Sequence, residues 1–160
     1  MNLRAVLDAS VGVKWVAPEP GSEQARAVRD AYAAGELHLL APDLYVPEVA
    51  NILWKKHRLR QELSAAQAAR ALDLLLAALP EIEPTAPLIS QALRLANQFG
   101  RPVYDCTYVA LALREGCPLI TADLALASQL GPSLGMVATL AQGAAMLAAA
   151  RAERSAERRG

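Results

Sequence analysis

The alternation of short apolar runs with longer stretches of helical period constrains this chain more than any single motif does. Residues 4–8, 37–41, a weak run around Ile82, 118–121 and 136–140 each have the length and character of one buried strand. Between them, apolar residues recur at spacings of three and four. Ala25, Val28, Ala31 and Tyr32 mark a helix from Ser22 that Gly35 closes. Val46, Val49, Ile52 and Leu53 mark a second, which begins close to Pro47 because proline is tolerated only in a first turn. Ser64 with Gln67 reads as a capping box for a third, with Leu72, Leu75, Leu76 and Leu79 as its core stripe and Pro80 as its stop. Thr85 and Pro87 open a fourth that ends at Gly100, and Cys106, Val109, Ala110 and Leu113 stripe a fifth that Gly116 ends. Residues 124–130 form a short helix, 131–135 a loop, and the segment from Gln142 is helical, with polar residues 151–160 expected to fray. Five strands separated by helices predict an α/β fold with a five-stranded parallel sheet covered on both faces. In such sheets the site lies at the carboxyl ends of the strands, where strand order reverses.

At 160 residues and 54% hydrophobic, the chain suits one core that buries roughly 70% of its unfolded surface. Residues 1–142 are expected to form that domain, and 143–160 a helical, partly disordered tail. The apolar run at 72–79 falls far short of the ~20 residues of a membrane span, and no basic segment precedes a long apolar one at the N-terminus. The expectation is a cytoplasmic protein with no membrane contact. Cys106 and Cys117 lack metal-ligand spacing and read as small core residues, consistent with a reducing compartment. The formal net charge is zero, so a polyanion must be held by a local patch.

Four acids stand where this fold brings them together. Asp8 and Asp123 follow the first and fourth strands, and Glu48 and Asp105 begin helices that leave the same side of the sheet. Taken singly, an acid in a first helical turn is a cap and one just past a strand is a turn residue. Taken together they are costly: two unit charges 4 Å apart repel by about 4 kcal/mol at an effective dielectric near 20. Either protons are taken up or cations are bound. An all-oxygen cluster prefers hard ions such as Mg²⁺ or Mn²⁺. These accept phosphate oxygens and activate water, which points to phosphodiester hydrolysis.

The stretches VLDASV at 6–11, PEVANILWK at 47–55, VYDCTYVALA at 103–112 and LITADLAL at 119–126 carry a family resemblance in their order and spacing. Over nearly all of the chain to about Leu140, the sequence resembles PIN domains, specifically the VapC-type ribonuclease toxins of toxin–antitoxin pairs. The resemblance implies a PIN-like three-layer sandwich and RNA cleavage with Mg²⁺ or Mn²⁺. By position it implies a metal-binding quartet of Asp8, Glu48, Asp105 and Asp123, with Ser10, Asn51 and Thr121 orienting carboxylates or water around it. It also implies a homodimer held inactive by a cognate antitoxin, with DNA bound only through that antitoxin. Two features depart from the family pattern. Leu124, Ala125 and Leu126 follow the last Asp where relatives often carry a polar or basic residue, and the Ala/Arg-rich tail from Gly143 is longer than the domain requires.

Other residues have plainer readings. Asp30, Asp43 and Asp73 are a helix-surface residue, a cap and a surface residue of the leucine helix. Trp15 and Trp54 belong to the core or a dimer surface, since aromatic content is only 4%. His38 and His57 have no partner at ligand spacing. Lys55, Lys56, Arg58 and Arg60 extend the Glu48 helix as a basic tail, either a solvated face or a contact for the RNA backbone. A dinucleotide-binding enzyme lacks its glycine fingerprint here, a P-loop is absent, and Ser10 stands where a phosphoaspartyl enzyme would carry a second Asp. The alternative from another class is a catalytically silent PIN-fold module that binds RNA or an antitoxin without cleavage.

Overall fold

A computed structural model describes residues 3–157. The elements in chain order are β1 (Leu3–Leu7), α1 (Ala9–Gly12), α2 (Ser22–Ala33), β2 (Leu37–Pro42), α3 (Tyr45–Arg58), α4 (Ala65–Ala77), β3 (Glu81–Glu83), α5 (Ile89–Phe99), α6 (Val103–Glu115), β4 (Leu119–Thr121), α7 (Leu124–Leu134), β5 (Val137–Thr139) and α8 (Leu140–Glu157). All strand pairings are parallel, in the order β3-β2-β1-β4-β5. The chain builds outward from β1 through β2 to β3, then crosses back to lay β4 and β5 on the other side. Strand order therefore reverses between β1 and β4, and the crevice beyond their carboxyl ends is the place where a sheet of this kind holds a ligand.

Burial explains why β1, β2 and β4 read as continuous apolar runs. Ala5, Val6, Leu7, Leu39, Leu40, Leu119 and Ile120 are all buried, as strands covered by helices on both faces require. Helix α6 is the most enclosed helix of the fold, with every residue from Cys106 to Ala112 buried. Its buried Thr107 is satisfied locally, Oγ1 donating to the Val103 carbonyl at 2.8 Å. Cys106 and Cys117 are both buried and free.

Several local expectations are corrected. The α4 stripe is narrower than its leucines imply, since Ala71 and Leu75 are buried whereas Leu76 is 42% exposed. Helix α4 packs against α3 and turns only one row inward. The loop expected at 131–135 is helical, and α7 continues through Pro132 to end at Gly135 in the left-handed region (φ 68°). Gly131 is there for close packing: a Cβ at that position would stand 3.3 Å from the Val137 carbonyl oxygen. Helix α8 runs past Arg151, which pairs with Glu36 at 2.7 Å, to Glu157. The expectation for residues 158–160 lies outside the described residues. Among the described residues, no helix is long and apolar enough to cross a membrane.

Candidate active site

The crevice between β1 and β4 is assembled by short-range hydrogen bonds that cross it. Asp8 leaves β1 and caps α1, its Oδ1 accepting from the Ser10 amide at 3.1 Å. Its Oδ2 accepts from Thr121 Oγ1 at 2.5 Å, from the end of the neighbouring strand. That threonine oxygen in turn accepts from the Asp123 amide at 3.0 Å, and Ser10 Oγ accepts from the Ala122 amide at 3.1 Å. The two strand ends are thus tied together by the side chains of Asp8, Ser10 and Thr121.

Helices bring in the other acids. Glu48 lies in the first turn of α3, where Oε2 accepts from Tyr108 Oη at 2.5 Å. Asp105 lies in the first turn of α6 and Asp123 caps α7, its Oδ1 accepting from the Leu126 amide at 2.9 Å. One nitrogen of Arg101, Nη2, donates to both Asp105 Oδ2 and Asp123 Oδ2, each at 2.7 Å.

The electrostatics separate these acids into two kinds. Burial pushes the Glu48 carboxyl up to about 7, against the pull of its Tyr108 hydrogen bond, and the negative charges of Asp8 and Asp105 add to the rise. Burial likewise raises Asp8, against its hydrogen bonds from Thr121 and Ser10, and Asp105 repels it further. Asp105 is raised by burial in spite of Arg101, with Asp123 adding repulsion. Asp123 goes the other way. Burial disfavours its charge, but the Leu126 amide and Arg101 outweigh that and hold it below the usual range.

The structure therefore brings Asp8, Glu48, Asp105, Asp123, Ser10 and Thr121 into one neighbourhood, with Asn51 three residues after Glu48 on α3. Asn51 is exposed on α3 and its side chain makes no hydrogen bond among the described residues. The basic tail of α3 also needs correction. Lys55, Arg58 and Arg60 are exposed, but Lys56 is 2% exposed and its ammonium pairs with Glu19 and, at 2.7 Å, with Glu62. It is committed inside the protein and leaves the RNA-facing run. Sequence reasoning missed Arg101, Tyr108 and Tyr45. Arg101 stands four residues before Asp105 and Tyr108 three after it, both helical-neighbour spacings that could have flagged them. Tyr45 is buried with its hydroxyl unpaired, and Asp8 helps to keep that phenol protonated once burial has raised it.

The profile of the PIN domain family matches residues 5–129. The chain belongs to the PIN domain family. It is 41% identical over 131 residues to Ribonuclease VapC3 of Pyrobaculum aerophilum, covering 79% of this chain and 95% of that protein, which puts the likeness within the VapC group of PIN domains. Among solved structures it resembles PAE2754 from Pyrobaculum aerophilum with TM-score 0.67 and 26% identity, over 92% of this chain and 90% of that one. Mycobacterium tuberculosis VapC20, described as a Sarcin-Ricin loop cleaving toxin, matches with TM-score 0.56 over 78% of this chain and 93% of its own; at 16% identity it shows the fold alone.

The donor chemistry of this PIN domain fits a hard divalent cation: four carboxylates, three of them raised in pKa by burial and by one another's charge, and no sulfur or imidazole among them. Among the described residues no three acids close into a ready-made cage. Mg²⁺ does not require one, since it keeps several waters and is commonly bound through one or two carboxylates plus substrate phosphate.

Proposed function

We propose that this PIN domain is a Mg²⁺- or Mn²⁺-dependent endoribonuclease that serves as the toxin of a toxin–antitoxin pair. The observation that carries the reading is the gathering of Asp8, Glu48 and Asp105 at the sheet's switch point, in a chain 41% identical to a protein named Ribonuclease VapC3. A divalent ion bound on that side would supply the polarisation that turns water into a nucleophile at neutral pH and offset charge on the attacked phosphate.

The chain's own residues prepare the site for this. Thr121 and Ser10 fix the Asp8 carboxylate so that its remaining lone pairs are directed into the crevice without rearrangement. Tyr108 holds Glu48 through Oε2 and leaves Oε1 without a hydrogen bond among the described residues. Lys55, Arg58 and Arg60 continue α3 away from Glu48, Lys55 seven residues on and so about 10 Å along the axis, and meet the backbone of a bound RNA. Trp54, 51% exposed, borders an apolar groove of Leu53, His57, Ala68 and Leu72 that supports pairing with an antitoxin or a second copy. The two buried free cysteines suit a reducing cytoplasm.

Because water attacks and the ribose 2′-hydroxyl does not, the products carry a 5′-phosphate and a 3′-hydroxyl. The test is end-mapping of total RNA after incubation with the purified chain and Mn²⁺. New 5′-phosphate ends at discrete positions are expected, and 2′,3′-cyclic phosphates would count against the mechanism.

A further inference from the structure

Among the described residues, Arg101 is the cation that contacts the acidic quartet, and it does so at one point. Its Nη2 lies 2.7 Å from an oxygen of Asp105 and 2.7 Å from an oxygen of Asp123. A Mg²⁺ ion bridging the same two oxygens would sit about 2.1 Å from each. Nitrogen and ion would then fall at nearly the same place, so both sterics and like charge make them mutually exclusive.

The arginine is built into this position. Gly100 ends α5 in the left-handed region (φ 63°) and turns the chain, and Arg101 follows immediately, two residues before α6. Its side chain is 16% exposed, and its Nε is buried without a hydrogen-bond partner, an orphan accepted for the sake of the two carboxylates. Asp123 accepts on both oxygens, Oδ1 capping α7 and Oδ2 receiving Arg101. Asp105 Oδ1 and Glu48 Oε1 carry no hydrogen bond among the described residues. The two sides of the site are therefore unequal: Arg101 supplies a positive charge to Asp105 and Asp123, and among the described residues no cation contacts Asp8 or Glu48.

We propose that Arg101 stands in for a second metal ion. Its guanidinium is the permanent cation between Asp105 and Asp123, and the site takes a single divalent ion on the side of Asp8, Glu48 and Asp105. Arg101 is in this sense a positioning residue, which fixes how many ions bind and where. The inference rests on the metal-dependent reading above.

Calorimetric titration with Mn²⁺, in the absence of RNA, separates the two. The wild-type chain should bind one Mn²⁺, Arg101→Gln should bind two, and the added ion should be lost again in Arg101→Gln with Asp123→Asn. Arg101→Lys, which keeps a charge at the same place, should bind one. Two ions in the wild type, or one ion in a folded Arg101→Gln, would overturn the role of Arg101 while leaving metal dependence intact. The wild-type count decides even where Arg101→Gln does not fold. No Mn²⁺ binding by the wild type would overturn the metal-dependent reading and this inference with it.

Discussion

Glu48 carries the largest pH consequence at the scale of single residues. Its carboxyl titrates near 4.5 in an unfolded chain and near 7 in the folded one, because it is buried beside Asp8 and Asp105. Between those values the folded state binds more protons than the unfolded state, so stability is greatest below pH 4.5 for this group and falls as pH rises through 7. The raised values of Asp8 and Asp105 act in the same direction from lower pH. Chemical denaturation in EDTA should therefore show Glu48→Gln flattening the loss between pH 5 and 8, a loss on the order of 1–2 kcal/mol in the wild type once solvent screening of this partly exposed group is allowed for. An unchanged slope in the variant would contradict the placement of Glu48. Mn²⁺ should flatten the same slope in the wild type by holding the carboxylate ionised. The four acids were legible in the sequence because each stands at a strand end or a helix start. Arg101 and Tyr108 stand at helical-neighbour spacings from Asp105, but their partners Asp123 and Glu48 come from distant parts of the chain, and spacing alone does not show those contacts.

Helices α1 and α3 meet where α1 has no side chain. A Cβ at Gly12 would overlap the Tyr45 phenol oxygen, whose hydroxyl has no hydrogen-bond partner. Gly12→Ala should then cost about 1–3 kcal/mol through overpacking, and Tyr45→Phe, which removes the unpaired oxygen, should recover most of it in a double-mutant cycle. Independent, additive effects in thermal melts would contradict the contact. Element boundaries were legible where caps announced them, as at Ser64 with Gln67, where both halves of the capping box form. They failed where a residue type had two uses. Gly131 reads as a turn but serves close packing, and the leucines of α4 read as a wide core stripe although α4 packs on α3 and buries only Ala71 and Leu75. Lys56 shows the same ambiguity, because a lysine in a basic run carries no sign that Glu19 and Glu62 will enclose it. Lys56→Ala should accordingly lower stability, by about 1–3 kcal/mol, whereas Lys55→Ala and Arg58→Ala should each flatten the dependence of log K for RNA on log salt by about 0.7. Equal salt slopes in all three would contradict the assignment of the exposed pair to the RNA backbone.

For the molecule as a whole, topology makes the site. The class of fold followed from alternating elements alone, but the order β3-β2-β1-β4-β5 did not, since periodicity says nothing about which strands pair. That order sets Asp8 and Thr121 on adjacent strand ends and lets α3 and α6 deliver Glu48 and Asp105 over them. The central claim is that this convergence is a metal-dependent RNA hydrolase. Its most direct test is cleavage of a total RNA sample by the purified chain after treatment with EDTA, with and without added Mn²⁺, beside Asp8→Asn and Asp105→Asn checked for native melting. Cleavage that appears only with Mn²⁺ and only in the wild type is the predicted result; cleavage in EDTA, or undiminished cleavage by either folded variant, would contradict it.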